Sequence, residues 1–176
     1  MDERIEEELT ILTERTAPKR GPVFDQRTLE QPISRLSPRA PLCVDENATL
    51  EDAVIAMREA RVGCMLVVDD DGYLLGIFTE RDLLLRLESA DLSRNIRPYM
   101  TPDPETLRPS DPIAYALNLM SVGGFRHVPV VDRHGRPVFV VSVRDIVEFL
   151  VERFPREVGN LPPSFGSDVP RDREGA

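Results

Sequence analysis

The feature that most constrains the fold is a repeat of the chain on itself. At an offset of 63 residues, 10 of 47 aligned positions are identical without a gap, whereas ordinary composition would give roughly three. Two copies are too few for a solenoid, so we expect a pair of related units about a pseudo-twofold axis. The identical pairs are Pro41 and Pro104, Ala53 and Ala116, Met57 and Met120, Val67 and Val130, Val68 and Val131, Asp69 and Asp132, Gly72 and Gly135, Arg81 and Arg144, Asp82 and Asp145, and Leu87 and Leu150.

The first copy predicts a short strand, a helix, a hairpin and a second helix. Thr49 and Asp52 have the spacing of a helix start, and apolar residues then recur with helical periodicity until about Arg61. The runs CMLVVDD and YLLGIFT flank an Asp- and Gly-rich turn and predict a hairpin. The second helix is expected to begin near Glu80.

The second copy follows the same order. We expect a strand around Thr106-Leu107, a helix from Asp111-Pro112 to about Val122, a hairpin, and a helix from about Val143 to Phe154. Neither copy has enough apolar surface to fold alone, so the two sheets are expected to pack together.

The flanks complete the predicted organisation. We expect residues 1–34 to form an N-terminal helix, over about 2–14, and a linker, 35–97 to form the first unit and 98–156 the second unit. The tail over 157–176, rich in proline, glycine and charge, is expected to be flexible and disordered. The segments QPISRLSPRAP and RNIRPYMTPDP, one before each copy, resemble each other. This similarity suggests that each unit has its own lead-in segment.

Composition and missing motifs exclude several functions. The net charge of −9 argues against a nucleic-acid partner, which requires a basic face. No apolar run is long enough to span a bilayer and the acidic start is no signal peptide, so we expect a cytoplasmic protein without membrane contact. The sequence has no Ser/His/Asp or Cys/His arrangement, no phosphate-binding glycine motif and no zinc-type ligand set. We therefore expect no catalysis and no metal.

The repeated order, a helix followed by VVDDDG and LGIFTERDLL and then by VPVVDRHG and VFVVSVRDIV, resembles a tandem pair of CBS domains, a Bateman module. The resemblance covers about residues 35–154. It implies an α+β fold of two βαββα units with two clefts between them. In many relatives these clefts bind adenosine nucleotides or related adenosyl compounds, and such pairs often dimerise.

The resemblance implies a regulatory ligand sensor rather than an enzyme. The expected ligand is AMP, ADP, ATP or S-adenosylmethionine, with no required cofactor, and the output would pass through a homodimer and an effector protein of unknown identity. The alternative is a structural dimerisation module whose clefts are empty or vestigial.

Four residues at the strand-to-helix junctions are the main binding candidates. By motif, Asp82 and Asp145 would bind the ribose, because one carboxylate accepts hydrogen bonds from two vicinal hydroxyls. Thr79 and Ser142 would add a hydroxyl contact to sugar or phosphate, beside helical N–H groups that suit phosphate. The alternative is that Asp82 and Asp145 only cap their helices.

The phosphate candidates are basic. Arg81 and Arg144 would reach phosphate or the opposite unit, unless they form solvated ion pairs. In relatives with a basic pair ahead of this strand the side chains contact phosphate, which points to Arg126 and His127. His127 would then make binding dependent on pH, unless it is an ordinary core or surface histidine.

The apolar and small positions suggest that the two clefts differ. Val44, Leu107, Ile77 and Val140 are the weaker candidates for walls around adenine. Phe139 stands where the first copy has Gly76 and where the family pattern expects glycine, so we expect its ring either to narrow one cleft or to take the place of a bound base. At most one well-formed cleft is predicted, the one built on Thr79 and Asp82.

Overall fold

The computed structural model describes residues 26–36, 39–86 and 91–154. The predicted N-terminal helix and the predicted tail over 157–176 lie outside these ranges. In chain order the elements are α1 (Gln26–Leu29), a 3₁₀ turn (Ile33–Leu36), β1 (Cys43–Asp45), α2 (Leu50–Ala60), β2 (Cys64–Val68), β3 (Leu74–Thr79), α3 (Glu80–Leu85), β4 (Thr101–Pro102), α4 (Ile113–Gly123), β5 (His127–Val131), β6 (Pro137–Ser142) and α5 (Val143–Arg153).

The first unit contains a four-stranded sheet in the order β1-β2-β3-β4. Strand β1 is parallel to β2, and β2 and β3 form the predicted antiparallel hairpin. The short strand β4 adds antiparallel to β3, with Ile77 opposite Thr101. The sheet of the first unit thus includes a strand that precedes the second copy in the chain.

The second unit repeats the hairpin with β5 and β6. The strand predicted around Thr106-Leu107 is reduced to a single parallel bridge between Leu107 and Val130. This bridge lies 63 residues after the pairing of Val44 with Val67 in the first unit. The predicted α+β class and the pairing of two similar units are therefore confirmed.

Local signals determine where the helices begin and end. Helix α2 starts at a capping box in which the Thr49 hydroxyl accepts from the Asp52 amide and the Asp52 carboxylate accepts from the Thr49 amide. It ends at Arg61, a residue with a φ of 54°. Helix α4 ends at Gly124 with a φ of 67°, a conformation that glycine adopts without strain. The helix limits predicted from the sequence hold within about a turn.

The segment before the first copy packs on the second unit. Ile33 and Leu36 are buried in the same core cluster as Ile113, Val128 and other residues of the second unit. Backbone hydrogen bonds also hold this segment against the second unit. The Ile33 amide donates to the Asp111 carbonyl at 2.8 Å, and the Ile113 amide donates to the Gln31 carbonyl at 2.9 Å.

The equivalent segment before the second copy packs on the first unit. Ile96, Tyr99 and Met100 belong to the core cluster that contains Leu50 and Phe78. Each lead-in segment therefore completes the core of the copy that it does not precede, and the expectation that each unit keeps its own is corrected. The similarity of the two segments was real, but sequence similarity does not show which core receives them.

The two hairpins face each other across a small apolar interface. Cys64, Leu66 and Ile77 of the first sheet are buried together, with Val140 of the second unit packed against them. At the hairpin turns the Leu74 amide donates to the Gly135 carbonyl at 3.2 Å. The predicted packing of sheet on sheet is therefore observed, and it leaves a cleft on each side of the interface.

The exchange of lead-in segments gives a stability prediction. Ile33 is fully buried, so I33A should lower the free energy of unfolding by about 2–5 kcal/mol, the usual cost of truncating a buried isoleucine. Urea denaturation followed by circular dichroism measures this change. The matched control is I55A, because Ile55 on α2 is 37% exposed and should cost much less. Equal costs for the two variants would show that residues 33–36 are not part of the second core.

Candidate functional site

Two clefts lie between the units, one on each side of the sheet interface. The first cleft, of about 450 Å³, is bounded by Thr79 and Asp82 of the first unit and by 103–105 and 123–127 of the second. The second cleft, of about 310 Å³, is bounded by Ser142 and Asp145 together with 39–42 and 61–64. Most residues that line one cleft have a repeat counterpart, 63 positions away in the chain, that lines the other cleft. Both volumes fall within the range of about 300–1,000 Å³ typical of small-molecule sites.

A carboxylate and a hydroxyl lie together at the edge of the first cleft. Oδ2 of Asp82 accepts from the Thr79 hydroxyl at 2.6 Å and from the Thr79 amide at 2.9 Å. Among the described residues Oδ1 of Asp82 has no hydrogen-bond partner. The carboxylate is therefore held in one orientation by one oxygen, and the other oxygen is available to a ligand.

The second cleft repeats this arrangement. Oδ2 of Asp145 accepts from the Ser142 hydroxyl and from the Ser142 amide, both at 2.7 Å. All four side chains of the two pairs are half-buried. The structure thus brings the four main sequence candidates to equivalent places, one pair in each cleft.

The same local geometry also occurs away from the clefts. Thr49 and Asp52 at the start of α2 form a capping box with a hydroxyl-to-carboxylate distance of 2.6 Å, and neither residue lines a cleft. Helix capping by Asp82 and Asp145 is therefore real. It does not exclude binding, because the capping box uses only one carboxylate oxygen. What separates these two boxes from the one at Asp52 is their position between the units.

The predicted arginines make different contacts. Arg81 lines the first cleft and reaches the opposite unit, where its Nη1 donates to the Gly124 carbonyl at 3.3 Å. Arg144 lines the second cleft and forms an exposed ion pair with Glu148 one turn along its own helix, at 2.7 Å. Arg126 lines the first cleft only. All three guanidinium groups therefore lie beside a cleft.

His127 lies between the two clefts and lines both of them. Burial and the positive charge of Arg126 lower its pKa below the ordinary value of 6.5, while Asp145 and Glu80 oppose this shift. The ring is therefore neutral at slightly alkaline pH. A phosphate placed beside it would favour the protonated form.

The apolar candidates divide into two groups. Ile77 lines the first cleft and Val140 the second. Val44 and Leu107 instead pack against the cores of their own units and line neither cleft. The apolar surface available to a base in the first cleft is therefore Ile77 with Pro129 and Phe125.

Phe139 does not narrow a cleft, which corrects the sequence prediction. Its ring is buried in the core of the second unit and lines neither cleft. Gly76 also faces away from the clefts: a Cβ there would lie 2.5 Å from the Met100 sulfur and 2.9 Å from the Thr101 carbonyl oxygen. Gly76 is therefore explained by the close approach of β4 and Met100 and not by space for a ligand. Two clefts are formed, and the expectation that the one built on Thr79 and Asp82 is the better ligand site stays a prediction.

Two kinds of reactive centre can be assessed directly, the buried thiol of Cys64 and clusters of metal-ligating side chains. Burial raises the pKa of Cys64 to about 12, so this thiol stays protonated at neutral pH and is a poor nucleophile. In the ranges 26–36, 39–86 and 91–154 no group of His, Cys, Asp or Glu side chains could hold a metal ion. Across the same ranges no helix combines the length and apolar character needed to cross a membrane.

Sequence reasoning missed several residues at the cleft edges. Glu80, Asp103 and Glu105 line the first cleft, and Arg39 and Arg61 line the second. These positions differ between the copies, so the repeat gave no signal for them. The exception is the identical pair Pro41 and Pro104, which line equivalent places and could have been recognised from the repeat.

Comparison with known proteins adds the family context. A model of the CBS domain family matches the chain twice, at residues 33–89 and 94–152. A CBS domain protein from Pyrobaculum aerophilum, solved in complex with AMP, has 28% sequence identity and a TM-score of 0.64, covering 70% of this chain and 98% of its own. CBSX2, also solved with AMP, has 25% identity and a TM-score of 0.60, covering 69% and 97%. An uncharacterised 17.7 kDa protein of Acidianus ambivalens is 28% identical over 72% of this chain and 77% of its own.

The lowered pKa of His127 predicts a pH dependence of stability. Below about pH 6.5 the unfolded chain binds a proton that the folded protein disfavours, so stability falls as the pH drops through this region. Between pH 7.5 and 5.5, the Tm of the wild-type protein should therefore fall further than the Tm of H127Q. H134Q, which replaces the exposed histidine of the β5–β6 turn, is measured alongside as the second histidine variant. Parallel slopes for wild type and H127Q would contradict the prediction.

Proposed function

This chain belongs to the CBS domain family, and we propose that it is a regulatory module that binds an adenosine nucleotide between its two units. The ligand is of the AMP, ADP or ATP type, and the protein acts in the cytoplasm by changing its association with an effector protein. Its role is sensing and not catalysis.

The observation that carries this proposal is the pairing of a hydroxyl with a carboxylate in each cleft. Asp82 and Asp145 have one oxygen fixed by a capping box and the other directed to no protein group among the described residues. A ribose offers two neighbouring hydroxyls that suit such an acceptor. Apolar surface for a base lies beside each pair, at Ile77 in the first cleft and Val140 in the second.

The relatives support the choice of ligand. Two CBS proteins with 28% and 25% identity to this chain were solved with AMP, so AMP is the first nucleotide to test. A ligand in either cleft would contact both units, because each cleft is lined by residues of both. Binding would therefore stabilise one arrangement of the two units over others, which is the property that a sensor requires.

A homodimer is the proposed form of the molecule. Helix α5 exposes Val143, Val147 and Val151, which are four residues apart and lie along one side of the helix. Their side chains are between 37% and 51% exposed. An exposed apolar stripe of this kind is typical of an interaction surface. The alternative function, a dimerisation module with empty clefts, would use the same surface.

Nucleotide binding is tested by thermal unfolding and by titration calorimetry with AMP, ADP, ATP, NAD and S-adenosylmethionine. At a concentration 100 times its dissociation constant, a ligand should add about 2.7 kcal/mol to the stability of the protein. We expect AMP to raise Tm in wild type and to have no effect on the double variant D82A/D145A.

The matched control is D52A. Asp52 forms the same capping box as Asp82 and Asp145 but lies outside both clefts. It should therefore lose similar helix stability, about 0.3–1.5 kcal/mol for a capping interaction, and still bind AMP with wild-type affinity. Binding to wild type that survives in D82A/D145A would refute the site. An absence of any ligand effect in wild type would favour the dimerisation module.

The dimer is tested by native mass measurement. V147E places a charge in the middle of the α5 stripe and should convert the dimer to a monomer of half the mass, because burying an unpaired carboxylate is unfavourable. V138E is the control, since Val138 is also exposed but lies on β6 outside the stripe. If V147E remains as dimeric as wild type, the α5 stripe is not the interface.

A further inference from the structure

The two clefts share their ribose-binding groups but differ in charge. The first cleft is lined by four carboxylates and two guanidinium groups, those of Glu80, Asp82, Asp103, Glu105, Arg81 and Arg126. The second is lined by two carboxylates and three guanidinium groups, those of Asp145, Glu148, Arg39, Arg61 and Arg144. With His127 neutral, the linings carry formal charges of −2 and +1.

The difference in charge arises at positions where the two copies of the repeat carry different residues. Asp103 and Glu105 of the first cleft correspond to Ala40 and Leu42 in the second. Arg61 of the second corresponds to Gly124 in the first. The charges therefore change at the edges of the clefts, while the carboxylate and hydroxyl at each helix start stay the same.

The arginines of the second cleft are available to a ligand. Arg144 is engaged by Glu148, but among the described residues neither Arg39 nor Arg61 has an ion pair. Both are exposed at the cleft. Arginine binds phosphate with two parallel hydrogen bonds, so this pair can receive a phosphate dianion.

The first cleft presents the opposite environment. Glu80, Asp103 and Glu105 are all exposed at its edge. Arg81 is partly engaged by the Gly124 carbonyl, so Arg126, which has no ion pair among the described residues, is the one guanidinium that faces these carboxylates unengaged. A phosphate carrying about two negative charges would lie near three carboxylates in addition to Asp82. Like charges repel, so this edge disfavours a bound phosphate.

Building on the function proposed above, we propose that the two clefts select ligands by charge. The second cleft binds the phosphorylated nucleotide, with Arg39 and Arg61 as its phosphate contacts. The first cleft binds an adenosyl compound without phosphate, uncharged or cationic, which its acidic edge tolerates or attracts. The specificity-determining residues are therefore Arg39 and Arg61 in one cleft and Asp103 and Glu105 in the other.

The test uses single-cleft proteins. D82A leaves only the second cleft intact and D145A only the first, and both are titrated with AMP and with adenosine by calorimetry at low salt. In D82A we expect AMP to bind at least tenfold more tightly than adenosine, with an advantage that shrinks as salt is added. In D145A we expect adenosine to bind at least tenfold more tightly than AMP.

Two further variants exchange the charges. R39S/R61G in the D82A background should remove the advantage of AMP while changing adenosine affinity less than twofold. Glycine suits position 61 because Arg61 has a φ of 54°. D103N/E105Q in the D145A background should bring AMP affinity to within threefold of adenosine; asparagine tolerates the φ of 46° at position 103.

The outcomes separate this proposal from the function on which it rests. If wild type and both single-cleft proteins bind AMP and adenosine with the same ratio of affinities, the clefts bind adenosyl ligands but do not select by charge. AMP binding confined to the D145A protein would overturn the assignment of the phosphate to the second cleft. If neither compound binds wild type, the proposed nucleotide binding itself is wrong, and the charge selection fails with it.

Discussion

The structure depends on the way in which each core is completed. Ile33 and Leu36 close the core of the second unit, and Ile96, Tyr99 and Met100 close the core of the first. Because these segments lie outside the hairpins and helices of the units they complete, neither copy buries its apolar surface alone. Through Ile33 and Leu36, the first described segment of the chain packs against the second unit. The two sheets are therefore held face to face, and the clefts are a consequence of that packing.

The capping boxes show how one local geometry serves different purposes. At Thr49, Thr79 and Ser142 a hydroxyl and the aspartate three residues later bind each other's backbone amides. All three boxes fix a helix start. Only the boxes at Thr79 and Ser142 lie at an edge where the other unit supplies the opposite wall. Whether the aspartate faces a cleft thus depends on the part of the molecule opposite it, and not on its own sequence motif.

Local sequence signals predicted a large part of this fold. The limits of α2, α4 and α5, both hairpins and the four residues at the helix starts follow from turn residues, caps and periodicity, which act within a few residues. The exchange of lead-in segments, the burial of Phe139 and the placement of Val44 and Leu107 in cores did not follow. Each of these depends on which surface a side chain meets in the folded molecule, and a repeat aligned with itself cannot distinguish a core position from a cleft position.

The repeat also explains why the charge of the clefts was missed. Identical positions identify what both units need: the hairpin turns, the core and the paired aspartate and arginine. Positions that differ, such as Asp103 against Ala40 or Gly124 against Arg61, look like neutral variation until the structure places them around equivalent clefts. Under the proposed function, a duplicated scaffold keeps recognition of an adenosyl group the same in both clefts, because that recognition would use the shared residues. The proposed selection by charge would need only the edge residues, which can change without disturbing either core.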